Sequence, residues 1–205
     1  MTANAQDMAS RAPQATRPEE VLRQEVAARK QLVDVALQLS STLDSDKLLQ
    51  LIMASATGLL DAETSSLMLV DEETNELVIA VATGTIGSRA ERQRIPIGVG
   101  IAGWTLANRQ VAVVDDPASD GRFFSEVGES LQFTTKNLLA VPMLVKDRAI
   151  GVVEVINKQN NARFTERDIE LASALASLAA VAIDNANLYA HLADAIVTAR
   201  MSYRL

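Results

Sequence analysis

The sequence predicts an α+β fold built on a central, mainly antiparallel sheet. Three observations indicate this fold: helical patterns gather at the two ends, strand-like segments come as two hairpins, and helices and strands do not alternate as in a βαβ fold. We expect the terminal helices to pack on one face of the sheet. The opposite face would then hold the middle connections and a pocket for a small ligand.

The N-terminal part predicts a tail and two helices. Residues 1–18 are rich in Ala, Gln, Thr and Pro without apolar periodicity, so we expect a disordered tail. Pro18 followed by two glutamates is typical of a helix start. Residues 19–44 then carry a broad apolar stripe, which predicts a dimerisation helix. Ser45 and Asp46 are expected to cap the next helix.

The middle of the chain predicts a hairpin, a short helix and a long connection. Two apolar, β-branched segments flank the polar turn EETN, as in a two-stranded hairpin. The expected elements are strands at 65–71 and 76–83, a solvated basic loop at 89–94, a helix at 101–108, a strand at 111–114 and a loop at 115–133.

A second hairpin and a long helix complete the chain. We expect strands at 137–145 and 149–157, and the second of these, AIGVVEVIN, is apolar enough to lie in the centre of the sheet. Glu154 is its only ionisable residue. Thr165 with Asp168 predicts a capping-box start for the last helix. We expect residues 191–205 to extend this helix as a signalling helix.

This last helix is rich in alanine and apolar on more than one side, which indicates close packing against two partners. We therefore expect a homodimer formed through the terminal helices. A charged residue at Ala179 or Ile183 is expected to disrupt the dimer and leave the sheet folded.

Composition excludes several classes of function. The net charge of -7 argues against a nucleic-acid-binding surface, which needs clustered Lys and Arg. The absence of cysteine excludes disulfides, thiolate metal sites and cysteine nucleophiles, and it agrees with the reducing cytoplasm. The single histidine, His191, excludes a multi-histidine metal site. No secretory signal and no apolar run of about 20 residues is evident, so we expect no membrane partner.

Four stretches carry a resemblance to a known family: SSLMLVDEETNELVIAVATG (65–84), IPIGVGIAGWTLANRQ (95–110), FTTKNLLAVPMLVKDRAIGVVEVINK (133–158) and FTERDIELASALASLAAVAIDNANLY (164–189). The chain resembles the GAF domain family, most closely the cyclic-nucleotide phosphodiesterase and adenylyl cyclase type of bacterial signalling proteins. The resemblance implies a GAF (PAS-like) fold over 45–190 with a sheet of about six strands.

A second motif resembles the NKFDE motif of this family. Asn157, Lys158, Phe164 and Asp168 match it, whereas Ile169 replaces the final glutamate. The resemblance implies that Lys158 pairs with Asp168. That pair either pins a loop to the start of the helix or takes part in the response to ligand.

The resemblance also implies the residues of a ligand pocket. Glu154 lies where some members place a glutamate near a purine edge; alternatively, it lies on an exposed strand edge or pairs with a nearby Lys or Arg. Ser66 and Thr135 match pocket hydroxyls of the family, and Thr83 and Ala102 complete the predicted ligand set. Two positions depart from the phosphodiesterase pattern: Leu131 replaces a pocket threonine, and Ala82 replaces an aromatic ring, which forfeits roughly 1–3 kcal/mol of stacking on a base.

The implied function is a regulatory small-molecule-sensing and dimerisation module of a bacterial signal-transduction protein, without catalytic activity, acting on an unidentified effector protein or domain. The ligand would be a cyclic nucleotide or a related small molecule. Haem and bilin are not expected, since bilin attachment needs cysteine and His191 lies beyond the matched region. GAF-type methionine-sulfoxide reductases also need cysteine. The alternative is a structural GAF domain with a collapsed pocket that acts only in dimerisation or protein interaction.

Overall fold

The computed structural model describes residues 18–42, 44–84, 87–123 and 133–202. The predicted tail therefore lies outside the described residues, except at Pro18. Two helices come first, α1 (Pro18–Ser41) and α2 (Ser45–Leu59). The N-cap of α2 is Asp44, whose carboxylate accepts a hydrogen bond from the Lys47 amide, so the predicted cap at Ser45 and Asp46 was one to two residues late.

The described residues form one six-stranded antiparallel sheet in the order β3-β2-β1-β6-β5-β4, which agrees with the predicted class. Its central strands are β1 and β6, as the apolar character of β6 predicted. The strands are β1 (Ala62–Asp71), β2 (Glu76–Ala82), β3 (Arg94–Pro96), β4 (Ala112–Val114), β5 (Leu138–Val145) and β6 (Arg148–Lys158).

The basic run at 89–94 was predicted to be a solvated loop, and this was wrong at both ends. Residues 87–90 form a short helix, α3 (Gly87–Ala90), and Arg94 begins β3. The Arg94 guanidinium lies 2.8 Å from the Asp71 carboxylate and 3.1 Å from that of Glu76. These ion pairs fasten the edge strand to the first hairpin.

The two faces of the sheet carry separate apolar clusters. On one face, α1, α2 and the last helix, α5 (Glu166–Ser202), cover side chains such as Leu67, Val153 and Val155. On the other face, α4 (Gly100–Asn108) covers side chains such as Met68 and Val152. We call this second side the α4 face. The predicted division between terminal helices and middle connections is thus present.

Close packing fixes α4 over the sheet. A Cβ atom added at Gly103 would lie 2.8 Å from the carbonyl oxygen of Pro96 and 2.9 Å from the amide nitrogen of Gly98, so only glycine allows this approach. The same helix packs on β5 and β6. Its inner side therefore lies directly above the centre of the sheet.

Helix α5 begins with the predicted capping box. The Asp168 amide donates to the Thr165 hydroxyl, and the Asp168 carboxylate accepts from the Thr165 amide at 2.7 Å. By composition and length, 166–193 would suffice to cross a membrane. Half of its most apolar window is buried against the sheet and neighbouring helices, which accounts for that character.

The prediction that Ala179 and Ile183 lie at a dimer interface was wrong. Ala179 is fully buried and Ile183 is 4% exposed, and both belong to the core between α5 and the sheet. The alanines of α5 thus allow close packing within one chain. The exposed apolar side chains of α5 are instead Val181, Leu188, Tyr189, Leu192 and Ile196.

Candidate ligand site

Glu154 lies in the middle of β6 with its side chain on the α4 face, because Val152 and Ile156 two residues away belong to that apolar cluster. Its cross-strand partners are Ser66 on β1 and Ala140 on β5. The acid that the sequence singled out is therefore held on the sheltered side of the two central strands.

A row of small side chains extends from Glu154 across the sheet. Register places Ala82 opposite Ser66, Ser66 opposite Glu154, Glu154 opposite Ala140, and Ala140 opposite Ala112. Apart from Glu154, no member is larger than serine. The row thus places one carboxylate at the centre of a line of small side chains on the α4 face.

Burial raises the pKa of Glu154 from its ordinary value of 4.5 to about 7, and a hydrogen bond from the Ser66 hydroxyl opposes the shift by favouring the charged form. Part of the residue still has accessible surface. Near neutral pH the carboxyl group can thus accept a hydrogen bond when charged or donate one when protonated.

Helix α4 forms the opposite wall of this layer. Ala102 of the predicted ligand set is buried there, one helical turn before Thr105. Thr105 is completely buried, and its hydroxyl has no hydrogen-bond partner in the part of the chain that the structure describes. Sequence reasoning did not select Thr105, although its spacing of three from Ala102 in GIAGWT placed both residues on one helix face.

Thr83 does not lie with these residues. Its hydroxyl contacts the hydroxyls of Thr57 on α2 and Ser65 on β1, each at 3.2 Å, and it accepts from the Ser65 amide at 2.9 Å. These contacts lie on the side covered by α2. The prediction that Thr83 belongs with Ser66 and Glu154 is therefore corrected, since neighbouring strand residues point to opposite faces.

Thr135 lies in the half-buried segment that leads into β5, and Asn157 holds the residues on both sides of it. The Asn157 amide group donates to the Thr134 carbonyl at 2.9 Å and to the Glu63 carboxylate at 3.0 Å. Its side-chain oxygen accepts from the Lys136 amide at 2.7 Å. The backbone around Thr135 is thus fixed to the end of β6.

The Lys158–Asp168 ion pair implied by the NKFDE-like motif is present. The Lys158 ammonium lies 2.7 Å from an Asp168 carboxylate oxygen, donates to the Leu60 carbonyl at 3.2 Å and lies 5.6 Å from the centre of the Phe164 ring. The two charged side chains are only 15% and 9% exposed. The pair thus joins the end of β6 and the end of α2 to the start of α5.

Asn137 connects this pair to the segment that carries Thr135. Its side-chain oxygen accepts from the Lys158 amide at 2.9 Å, and its amide group donates to the Ala162 carbonyl at 3.1 Å. Together with Asn157, it forms a continuous hydrogen-bonded link from the entry of β5 to the beginning of α5. Asn157 has a φ of 59°, a conformation that asparagine tolerates better than most residues.

At the outer side of α4, the Arg122 guanidinium lies over the Trp104 ring at 4.5 Å and pairs with the Asp120 carboxylate at 2.6 Å. This contact attaches the 115–123 connection to α4. Leu131, at the other departure from the phosphodiesterase pattern, lies outside the described residues. Within 18–42, 44–84, 87–123 and 133–202, no group of three His, Asp or Glu side chains is placed to hold a metal ion.

Comparison with known proteins finds one family model and several phosphodiesterases that match this chain. The family model for the GAF domain matches residues 44–183. A probable 3',5'-cyclic phosphodiesterase, pde-5, from Caenorhabditis elegans is 29% identical over 184 residues, covering 85% of this chain and 25% of that protein. Dual 3',5'-cyclic-AMP and -GMP phosphodiesterase 11A from Takifugu rubripes is 28% identical over 172 residues, covering 79% and 19%. The chain thus spans a quarter or less of these relatives.

A solved structure supports the fold independently. The GAF domain from a phosphoenolpyruvate-protein phosphotransferase of Coxiella burnetii superposes with a TM-score of 0.73 at 17% sequence identity, covering 81% of this chain and 98% of that one. At this identity the match concerns the arrangement of the helices and strands. It leaves the ligand of this chain to be argued from its own residues.

Proposed function

The chain belongs to the GAF domain family, and on this basis we propose that it is a cytoplasmic regulatory module that binds a small molecule and dimerises through its terminal helices. We propose a cyclic nucleotide as the ligand class. The names of the related phosphodiesterases support this choice, because those enzymes act on cyclic nucleotides. The absence of cysteine agrees with a reducing compartment.

The observation that carries the proposal is Glu154 in its row of small side chains. A carboxylic acid on the sheltered face of a sheet, with a pKa of about 7, costs free energy of folding unless a partner forms a hydrogen bond with it. An N–H group of a purine would satisfy the charged carboxylate. Ala82 offers no aromatic surface for the base, so we expect weak binding compared with a site that stacks the base on a ring.

We propose that the chain itself is regulatory and that any catalytic or other output belongs to an effector protein or domain. The link from Thr135 through Asn137 and Asn157 to the start of α5 supports this proposal, because it connects the pocket side with the helix that leaves the domain. Ligand can shift α5 only by the difference in affinity between two states of the chain.

An apolar surface supports dimerisation with a second copy of the chain. It consists of nine side chains on α1 and α5, each more than half exposed: Leu22, Val26, Val33, Leu37, Val181, Leu188, Tyr189, Leu192 and Ile196. The four α1 members lie within about 60° of one another around the helix and so form one exposed stripe.

The proposed ligand class is tested by thermal unfolding of the full chain with cyclic GMP and cyclic AMP. We expect one nucleotide to stabilise the wild type, by about 2.7 kcal/mol at a hundredfold excess over Kd. Glu154→Ala should lose the effect, and Glu73→Ala, which removes the same group from an exposed turn, should retain it. A wild type that responds to neither nucleotide contradicts the proposal.

The alternative is a structural GAF domain that only dimerises. Complete burial of Ala140 and the near-complete burial of Ala112 favour it, because side chains already covered leave less space for a ligand. A protein that purifies without ligand, responds to neither nucleotide and stays dimeric would support this alternative.

A further inference from the structure

The buried hydroxyl of Thr105 is unsatisfied in this fold. A threonine inside a helix commonly donates to the carbonyl four residues earlier, but among the described residues the Thr105 oxygen has no hydrogen-bond partner. An unpaired buried hydroxyl costs free energy, and such groups are rare in native structures. Its presence in the middle of α4 therefore calls for a partner beyond those that residues 18–42, 44–84, 87–123 and 133–202 supply.

Thr105 is placed in the same layer as Glu154. It shares the inner side of α4 with Ala102 and Leu106, which pack in the apolar cluster of the α4 face. Because α4 packs on β5 and β6, this inner side lies above the strand that carries Glu154. The Thr105 hydroxyl on α4 and the Glu154 carboxyl group on β6 thus belong to two elements that pack on each other at the α4 face.

The chemistry of these walls limits what could bind there. The buried side chains of this cluster are aliphatic, whereas Trp104, Phe123 and Phe133 pack against it in partly buried positions. Ser66 adds a further hydroxyl on the same face. An anionic group beside Glu154 would be repelled by its charged form. A neutral ring that donates to the carboxylate and accepts from a hydroxyl would satisfy both.

Building on the proposed function, we propose that Thr105 is a further ligand-contacting residue, and that with Glu154 it recognises the donor and acceptor edge of a neutral nitrogen heterocycle. For a cyclic nucleotide, the base would then lie between α4 and the sheet. The phosphate would lie away from Glu154.

The test uses calorimetric titration of the full chain with cyclic GMP and cyclic AMP, and thermal unfolding without ligand. Thr105→Val removes the hydroxyl at nearly constant shape, and Thr105→Ser keeps it. We expect Thr105→Val to bind about tenfold more weakly, as for loss of one buried hydrogen bond. Its ligand-free Tm should be unchanged or higher, because an unsatisfied group is removed. Thr105→Ser should bind like the wild type.

Three outcomes would overturn the inference in distinguishable ways. Equal affinity of the wild type and Thr105→Val would remove Thr105 from the pocket and leave the proposed function intact. Equal weakening in Thr105→Ser would assign the effect to the methyl group. A wild type that binds neither nucleotide would overturn the proposed function and this inference together.

Discussion

Replacement of Glu154 by glutamine tests the placement of this acid without any ligand. In the folded chain, burial raises its pKa to about 7, whereas the ordinary value is 4.5. The folded state therefore binds this proton more tightly than the unfolded state. It follows that the contribution of Glu154 to stability falls as the pH rises from about 4.5 to about 7 and is constant above that range.

The size of the effect follows from the same pair of values. A rise from 4.5 to about 7 corresponds to about 3 kcal/mol of stability lost across this interval. Glutamine cannot ionise, so Glu154→Gln should be spared the loss. Because glutamine is itself a polar group in a sheltered place, its own burial offsets part of this difference. We therefore expect the free energy of unfolding of the variant to rise by about 1–3 kcal/mol relative to that of the wild type between pH 5 and pH 8.

The assay is urea unfolding at pH 5, 6, 7 and 8 at one fixed protein concentration, since dimerisation would make stability concentration-dependent. Glu73→Gln makes the same chemical change at an exposed turn and serves as the matched control. Its difference from the wild type should be small and nearly independent of pH. Parallel pH profiles for Glu154→Gln and the wild type would refute the reasoning, because the carboxyl group would then be solvated.

Two further predictions concern the ion pair and the dimer. Asp168→Asn should destabilise the chain by about 2–4 kcal/mol in urea unfolding, because the ammonium of Lys158 loses its charged partner in a nearly buried position. The control Asp184→Asn, in an exposed ion pair, should cost less than about 1 kcal/mol. Equal costs of the two substitutions would contradict the argument. In analytical sedimentation, Leu188→Glu should shift the dimer towards monomer, because Leu188 is an exposed member of the proposed interface. The control Ala190→Glu, about 200° around the same helix, should leave the dimer intact. A monomeric wild type would refute the proposed interface.

Local patterns predicted most of the secondary structure because they depend on neighbouring residues. The polar turn at 72–75, the central apolar strand with Glu154 and the Thr165–Asp168 cap all follow from short-range periodicity and hydrogen bonding. The family motif also predicted the Lys158–Asp168 ion pair. Strand β3 was missed because its sequence RIP contains an arginine and a proline and so lacks the apolar, β-branched run that predicted the equally short β4 (AVV).

Errors arose where a side chain had two possible neighbours. Thr83 was assigned to the pocket together with Ser66, yet Ala82 is the residue opposite Ser66, so the next residue must face the other side. Ala179 was assigned to a dimer interface because small residues suit close helix contacts. In the folded chain, the contact they allow is with the domain itself.

By itself, the sequence determined the α+β class, the order of the elements and the acid within an apolar strand, because these depend on composition and on periods of two and 3.6 residues. Only the tertiary structure decided that Ala82, Ser66, Glu154, Ala140 and Ala112 form one row, since each belongs to a different strand. It also decided that the Thr105 hydroxyl is buried without a partner among the residues that the structure describes. Register and packing between distant segments fix such neighbours, and no local pattern encodes them.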